Sequence, residues 1–127
     1  MTRGFDIDPL FAPAYRRALA IPGPDLATLL KEELGRPTVA RVTNVHFANT
    51  VTRWTRGTLP NRHALNRMQM LATLLFALES WLGGRADAVR WIALDNPSLG
   101  FRSPVDALGD GAFADVFAAA RSCATQR

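Results

Sequence analysis

The run NRHALNRMQMLATLLFALESWLGG, residues 61–84, decides the fold. Its apolar residues Leu65, Met68, Leu71, Ala72, Leu74, Leu75, Leu78 and Leu82 recur at three- and four-residue spacing. That spacing predicts a long helix with one continuous buried stripe. Asn61 stands where an N-cap belongs, and Gly83-Gly84 closes the helix. The densest apolar part, Met68 to Leu78, is 11 residues long and is broken by Gln69 and Thr73. A membrane-crossing helix needs about 20 apolar residues, so no membrane partner is expected.

Short helices are expected on either side. Upstream, Asp25 reads as an N-cap for Leu26, Leu29, Leu30 and Leu34, with Gly35 as the stop. Arg36-Pro37-Thr38 reads as a connector, with Thr38 capping a second short helix that carries Val39, Val42 and Val45. A third spans about Ala48 to Arg56 and ends at Gly57. Residues 1–24 read as an arm, with a short helix from Asp8-Pro9 to about Leu19 ended by Ile21-Pro22-Gly23-Pro24.

Downstream, a helix over about Ala86 to Leu94 stops before Asn96-Pro97. Ser103-Pro104-Val105-Asp106 is a helix start, with Ser103 as cap and Asp106 reaching back to it. Gly109-Asp110-Gly111 ends that helix, and a last one runs from about Ala112 to Ser122. No segment alternates with period two. The expected class is all-α: a helix-turn-helix region (25–60), then the long connecting helix and a small helical C-terminal domain (61–127).

The chain has 127 residues, of which 48% are hydrophobic and 20% charged, the composition of one globular unit. A single cysteine excludes an intrachain disulfide and a multi-cysteine zinc site, and points to a cytoplasmic protein. Residues 1–8 hold two acids and no apolar core, so no secretory signal is expected.

The net charge of +4 is unevenly placed. From Arg36 to Arg67 there are six bases (Arg36, Arg41, Arg53, Arg56, Arg62, Arg67) and no acid. The stretches before and after this block each sum to −1. A basic block of this kind attracts a polyanion, although it equally fits a solvated face.

Catalytic ingredients are sparse. His46 and His63 have no carboxylate near them in sequence, and Cys123 falls near an expected frayed end. No phosphate-binding glycine loop is present. No enzyme activity, cofactor or metal is expected. Trp54, Trp81 and Trp91 sit where packing explains them.

Residues 38–60 have the order of a helix-turn-helix. Val51 and Trp54 are expected to face inward. Asn49, Thr50, Thr52, Arg53 and Arg56 face outward, side-chain types that read base edges or hold phosphates. Arg36, Arg41, Arg62 and Arg67 are expected to flank them as phosphate contacts.

Thr50-Val51-Thr52-Arg53-Trp54-x-x-Gly57-x-x-Pro60 resembles the helix-turn-helix signature of Xre-type proteins. Trp91-Ile92-Ala93-Leu94-Asp95-Asn96-Pro97-Ser98-Leu99-Gly100-Phe101-Arg102-Ser103-Pro104-Val105-Asp106-Ala107-Leu108 resembles the C-terminal toxin-binding domain of the Xre/MbcA/ParS antitoxins, with Asn96 to Asp106 as its long joint match, and is the more specific of the two blocks. Phe101 stands where that family commonly has glycine, and the turn between Val45 and Thr50 is one residue longer than usual.

The resemblance implies an antitoxin of a type II toxin–antitoxin pair. Its partner is then a RES-domain toxin, of a family that consumes NAD or transfers ADP-ribose, and the antitoxin blocks the NAD-binding cleft. It further implies a homodimer within a larger toxin–antitoxin assembly that represses its own operon by binding operator DNA. The expected toxin-facing residues are Phe101, Arg102, Phe113, Phe117 and, on a mobile tail, Arg121 and Arg127. The competing readings are a stand-alone helix-turn-helix transcriptional regulator and a protein-binding accessory subunit.

Overall fold

The computed structural model describes residues 8–125, and these are helical with no strand. A 3₁₀ turn at Pro9–Phe11 leads into α1 (Ala12–Leu19) and α2 (Gly23–Leu34). Then come α3 (Arg36–Thr43), α4 (Ala48–Thr55) and the long α5 (Arg62–Leu82). They are followed by α6 (Arg85–Ala93), a second 3₁₀ turn (Pro97–Leu99), α7 (Pro104–Gly109) and α8 (Phe113–Thr125).

Helix α5 is the axis. Asn61 Oδ1 accepts a hydrogen bond from Ala64 N at 2.8 Å, and Gly83 closes the helix with φ +89°. The stripe expected of it is too narrow. Every residue from Leu71 to Leu78 is buried, because α1, α2, α3, α6 and α8 all pack on this helix. A helix covered on all sides needs apolar residues on all sides. Thr73 fits there because its hydroxyl donates to Gln69 O at 2.7 Å, so no polar group is left bare.

The stretch expected to be an arm belongs to the core. Phe11 is 1% exposed and wedges between Trp81 (ring centroids 5.1 Å apart) and Phe117 (4.7 Å). Ala18 is buried against the same cluster. The sequence gives weak warning of this, since Phe11 lies among residues with no clear apolar period.

Two helix starts shift for one reason, and a third keeps its place with one contact changed. Gly23 and Pro24 open α2, with Pro22 rather than Asp25 at the N-cap position. Arg36 and Pro37 likewise open α3 instead of connecting to it. Proline suits the first turn, where the missing N–H has no intrahelical acceptor, so a proline read as a breaker is also a starter. At the third start, Ser103 Oγ does accept from Asp106 N at 3.1 Å. The Asp106 carboxylate, however, lies 3.4 Å from Arg41 Nε, so the expected reciprocal cap gives way to an ion pair. Helix α8 continues beyond Ser122 to Thr125, which buries Cys123 instead of leaving it at a frayed end.

Candidate functional site

Two surfaces carry the residues singled out from the sequence, and a junction of arginines lies between them. The junction holds α3 against α7. Arg41 Nη2 donates to Asp106 O at 3.2 Å and to Asp110 Oδ1 at 3.1 Å. Arg67 Nη1 donates to Val42 O (2.9 Å) and Leu108 O (3.1 Å). These carbonyls lie in the last turns of α3 and α7; Asp106 O and Leu108 O also accept from Asp110 N and Gly111 N, whereas Val42 O is one of the acceptors that helix geometry leaves open. Gly109 makes the close approach possible: a Cβ there would collide with the Arg41 guanidinium and lie 2.9 Å from the Arg41 carbonyl.

Arg41 and Arg67 are thus engaged within the protein, which corrects their expected role as phosphate contacts. Burial is the main cause that lowers the Arg67 pKa from its ordinary value, with the charge of Arg41 adding to it. A charge count along the chain cannot show such a role, because Arg67 and Leu108 are 41 residues apart and Arg41 and Asp110 are 69 apart.

The first surface is the loop 96–102. Asn96 Oδ1 accepts from Ser98 N at 2.9 Å, and Asn96 O accepts from Leu99 N (2.9 Å) and Phe101 N (3.0 Å). Asn96 N donates to Arg102 O at 2.9 Å and closes the loop. To turn so tightly, Gly100 (φ +69°) and Phe101 (φ +64°) both adopt the left-handed conformation. Glycine takes it freely, but for an ordinary L-residue it costs roughly 1–2 kcal/mol. The bulky residue so held is 71% exposed.

Arg102 Nη1 donates to Asp110 Oδ2 at 3.0 Å, so one carboxylate ties the loop to the junction. The hydrogen bond from Arg41 is the largest cause holding the Asp110 carboxyl below its ordinary value; desolvation opposes it, and the charges of Arg41 and Arg102 reinforce it. Beside the loop, a groove of about 700 Å³ runs along α8, lined by Leu99, Ala107, Asp115, Ala118 and Ser122.

The other residues expected to face a toxin are placed differently. Phe117 is 4% exposed against Phe11, so it closes the core. Arg121 sits on helical backbone and pairs with Asp8 Oδ2 at 2.7 Å, so it holds the N-terminal segment rather than riding a mobile tail. Phe113 is half-buried with the Arg67 guanidinium 5.1 Å from its ring centre. Arg127 lies outside the described residues.

The second surface is α4. Val51 and Trp54 point inward, as the spacing predicts. Asn49, Arg53 and Arg56 are exposed, and Thr50 and Thr52 are half-buried. Arg36 donates to Thr52 Oγ1 at 2.9 Å, and Arg53 lies 3.5 Å from Thr50 Oγ1. Arg56 and Arg62 are exposed, and among the described residues neither makes an ion pair or a side-chain hydrogen bond. Sequence reasoning missed Phe47 and Leu59, which bracket α4 and are 72% and 76% exposed. An apolar residue outside a helical period carries no burial signal.

No arrangement for nucleophilic or metal chemistry is assembled among the described residues. His46 and His63 are exposed on different elements, and no cluster of three His, Cys, Asp or Glu is present. Burial pushes the Cys123 thiol up, away from the thiolate a nucleophile needs. None of the described helices is long and apolar enough to cross a membrane. Compared with protein-family models, with curated proteins and with solved structures, the chain matches none.

Proposed function

We propose that this protein is a binding protein without chemistry of its own: an antitoxin that occludes the NAD-binding cleft of a RES-domain toxin through loop 96–102. The observation that carries the reading is Phe101, an exposed aromatic residue held in a left-handed conformation by hydrogen bonds from both ends of its loop. Strain of this kind persists where the surroundings over-determine it, and such positions cluster at clamps and binding sites. Aromatic side chains are the usual anchors of a protein interface, and here the backbone that carries the ring is already fixed before binding. The resemblance of residues 96–106 to a toxin-binding domain names the partner class. Phe101 and Arg102 are the residues assigned to the contact, with the groove along α8 receiving the neighbouring toxin surface.

The test is inhibition of NAD consumption by a co-expressed RES-domain toxin. Phe101→Ala is expected to weaken inhibition by roughly 30-fold, the effect of losing an anchor worth about 2 kcal/mol. Full inhibition by that variant would sink the reading.

A second activity is favoured by α4. Arg53, Arg56 and Asn49 lie exposed in a stretch without acids, and α3 and α4 are read as a helix-turn-helix that contacts operator DNA as a homodimer. DNA binding without any toxin interaction would instead support a stand-alone regulator.

A further inference from the structure

A second groove, of about 870 Å³, runs between α1, α5 and α8 and shares no lining residue with the groove beside loop 96–102. Leu19, Leu65, Met70 and Phe113 supply its apolar part. Arg62 and Arg67 supply its charge, His63 stands beside them, and among the described residues no carboxylate lines it. Tyr15 and Gln69 are half-buried along the wall, and among the described residues neither side chain makes a hydrogen bond. Half-buried polar groups without partners, beside apolar surface, are poised to accept a ligand's hydrogen bonds.

We propose that this groove docks an acidic amphipathic helix of a partner protein. The apolar face of that helix packs on Leu65, Met70 and Phe113, and a carboxylate meets the exposed Arg62, while Arg67, held by Val42 O and Leu108 O, adds only its positive field. A channel walled by helices and floored with apolar side chains fits helix-in-groove recognition. The acid-free lining sets the sign of the partner, since a carboxylate buried beside an arginine is favoured and an ammonium is repelled. Nucleic acid is a poorer fit: phosphates would use the arginines and leave four apolar side chains uncovered. The inference is independent of the function assigned to loop 96–102.

The experiment is a nuclear magnetic resonance titration of the full, isotope-labelled chain. The probe is a synthetic helix of roughly four turns with Leu at every third and fourth position and Glu elsewhere. Its Lys-for-Glu counterpart is the control. Saturable shifts at Tyr15, Met70 and Phe113 are expected with the Glu probe, with at least tenfold weaker binding of the Lys probe. Arg62→Glu, at an exposed site, is expected to weaken the Glu probe about tenfold. Met70→Glu is expected to abolish binding while the amide spectrum of α2 and α6 stays unchanged. Equal binding of the two probes, shifts confined to other residues, or no effect of Arg62→Glu would overturn the proposal. So would duplex DNA that shifts this same residue set more strongly than the Glu probe.

Discussion

Helix α4 and loop 96–102 both expose side chains to solvent, yet they hold them in opposite ways. On α4 the backbone is ordinary helix, and at its C-cap Arg56 is exposed, with no side-chain hydrogen bond or ion pair among the described residues. In the loop, Phe101 is strained, its N–H donates to Asn96 O within a loop closed by Asn96 N and Arg102 O, and Arg102 is pinned to Asp110. Adaptable cations suit a partner whose charge is spread along a surface, such as a phosphate backbone. A fixed aromatic ring suits one pocket of defined shape. The difference separates a sequence-tolerant contact from a selective one within a single small fold.

The largest effect is expected where the loop is anchored. Gly109→Val forces α3 and α7 apart and is expected to destabilise the protein by about 3 kcal/mol, read from denaturant unfolding. Arg67→Ala leaves the Val42 carbonyl without its donor and the Leu108 carbonyl with Gly111 N alone, and about 1–3 kcal/mol of destabilisation is expected. A thermal midpoint equal to that of the parent would show that water replaces the guanidinium.

Phe101→Gly sharpens the contrast, because it acts in opposite directions on folding and on binding. Relief of the left-handed strain is expected to stabilise the free protein by about 1 kcal/mol, while inhibition of the toxin falls. Loss of stability in that variant would mean the exposed ring packs on its own chain.

Acid offers a gentler probe. The Asp110 carboxyl is held below its ordinary value, so the link to Arg41 and Arg102 is complete at neutral pH. It weakens only as pH falls through the depressed folded value, beneath the range where unfolded aspartates titrate. A carboxyl resonance of Asp110 that titrates at or above the ordinary aspartate range would remove the link from the loop's support.

The smallest effect is expected on α4. The double substitution Arg53→Ala, Arg56→Ala should change stability by no more than about 0.5 kcal/mol. It should nevertheless flatten the dependence of log K for DNA on log salt by about 1 for each phosphate that is no longer neutralised. An unchanged salt slope would remove those arginines from the DNA interface.

How much of this was legible in the sequence varies with the range of the interaction. The span of α5 could be read directly, because periodicity and the Asn61 and Gly83 caps are local signals. The inward placement of Val51 and Trp54 followed from spacing in the same way. Pro24 and Pro37 misled because one residue type both ends and begins helices. Arg41 and Arg67 could not be assigned, since their partners are brought in by the packing of α7 on α3. Gly109 read only as a stop, yet its lack of a side chain lets two helices touch. Phe101 stood out only through the family resemblance, which has glycine at that place, and the positive φ gives a physical reason why glycine would suit it.

The wedge of Phe11 between Trp81 and Phe117 has a bearing on biosynthesis. A nascent chain translated as far as α7 has nothing to set against one side of Phe11, so the ring stays uncovered until α8 leaves the ribosome. Removal of α8 by a protease would uncover it again and, with it, free Asp8 from Arg121. The opening and closing segments of the described chain therefore depend on each other, and loss of either one uncovers apolar surface on the other.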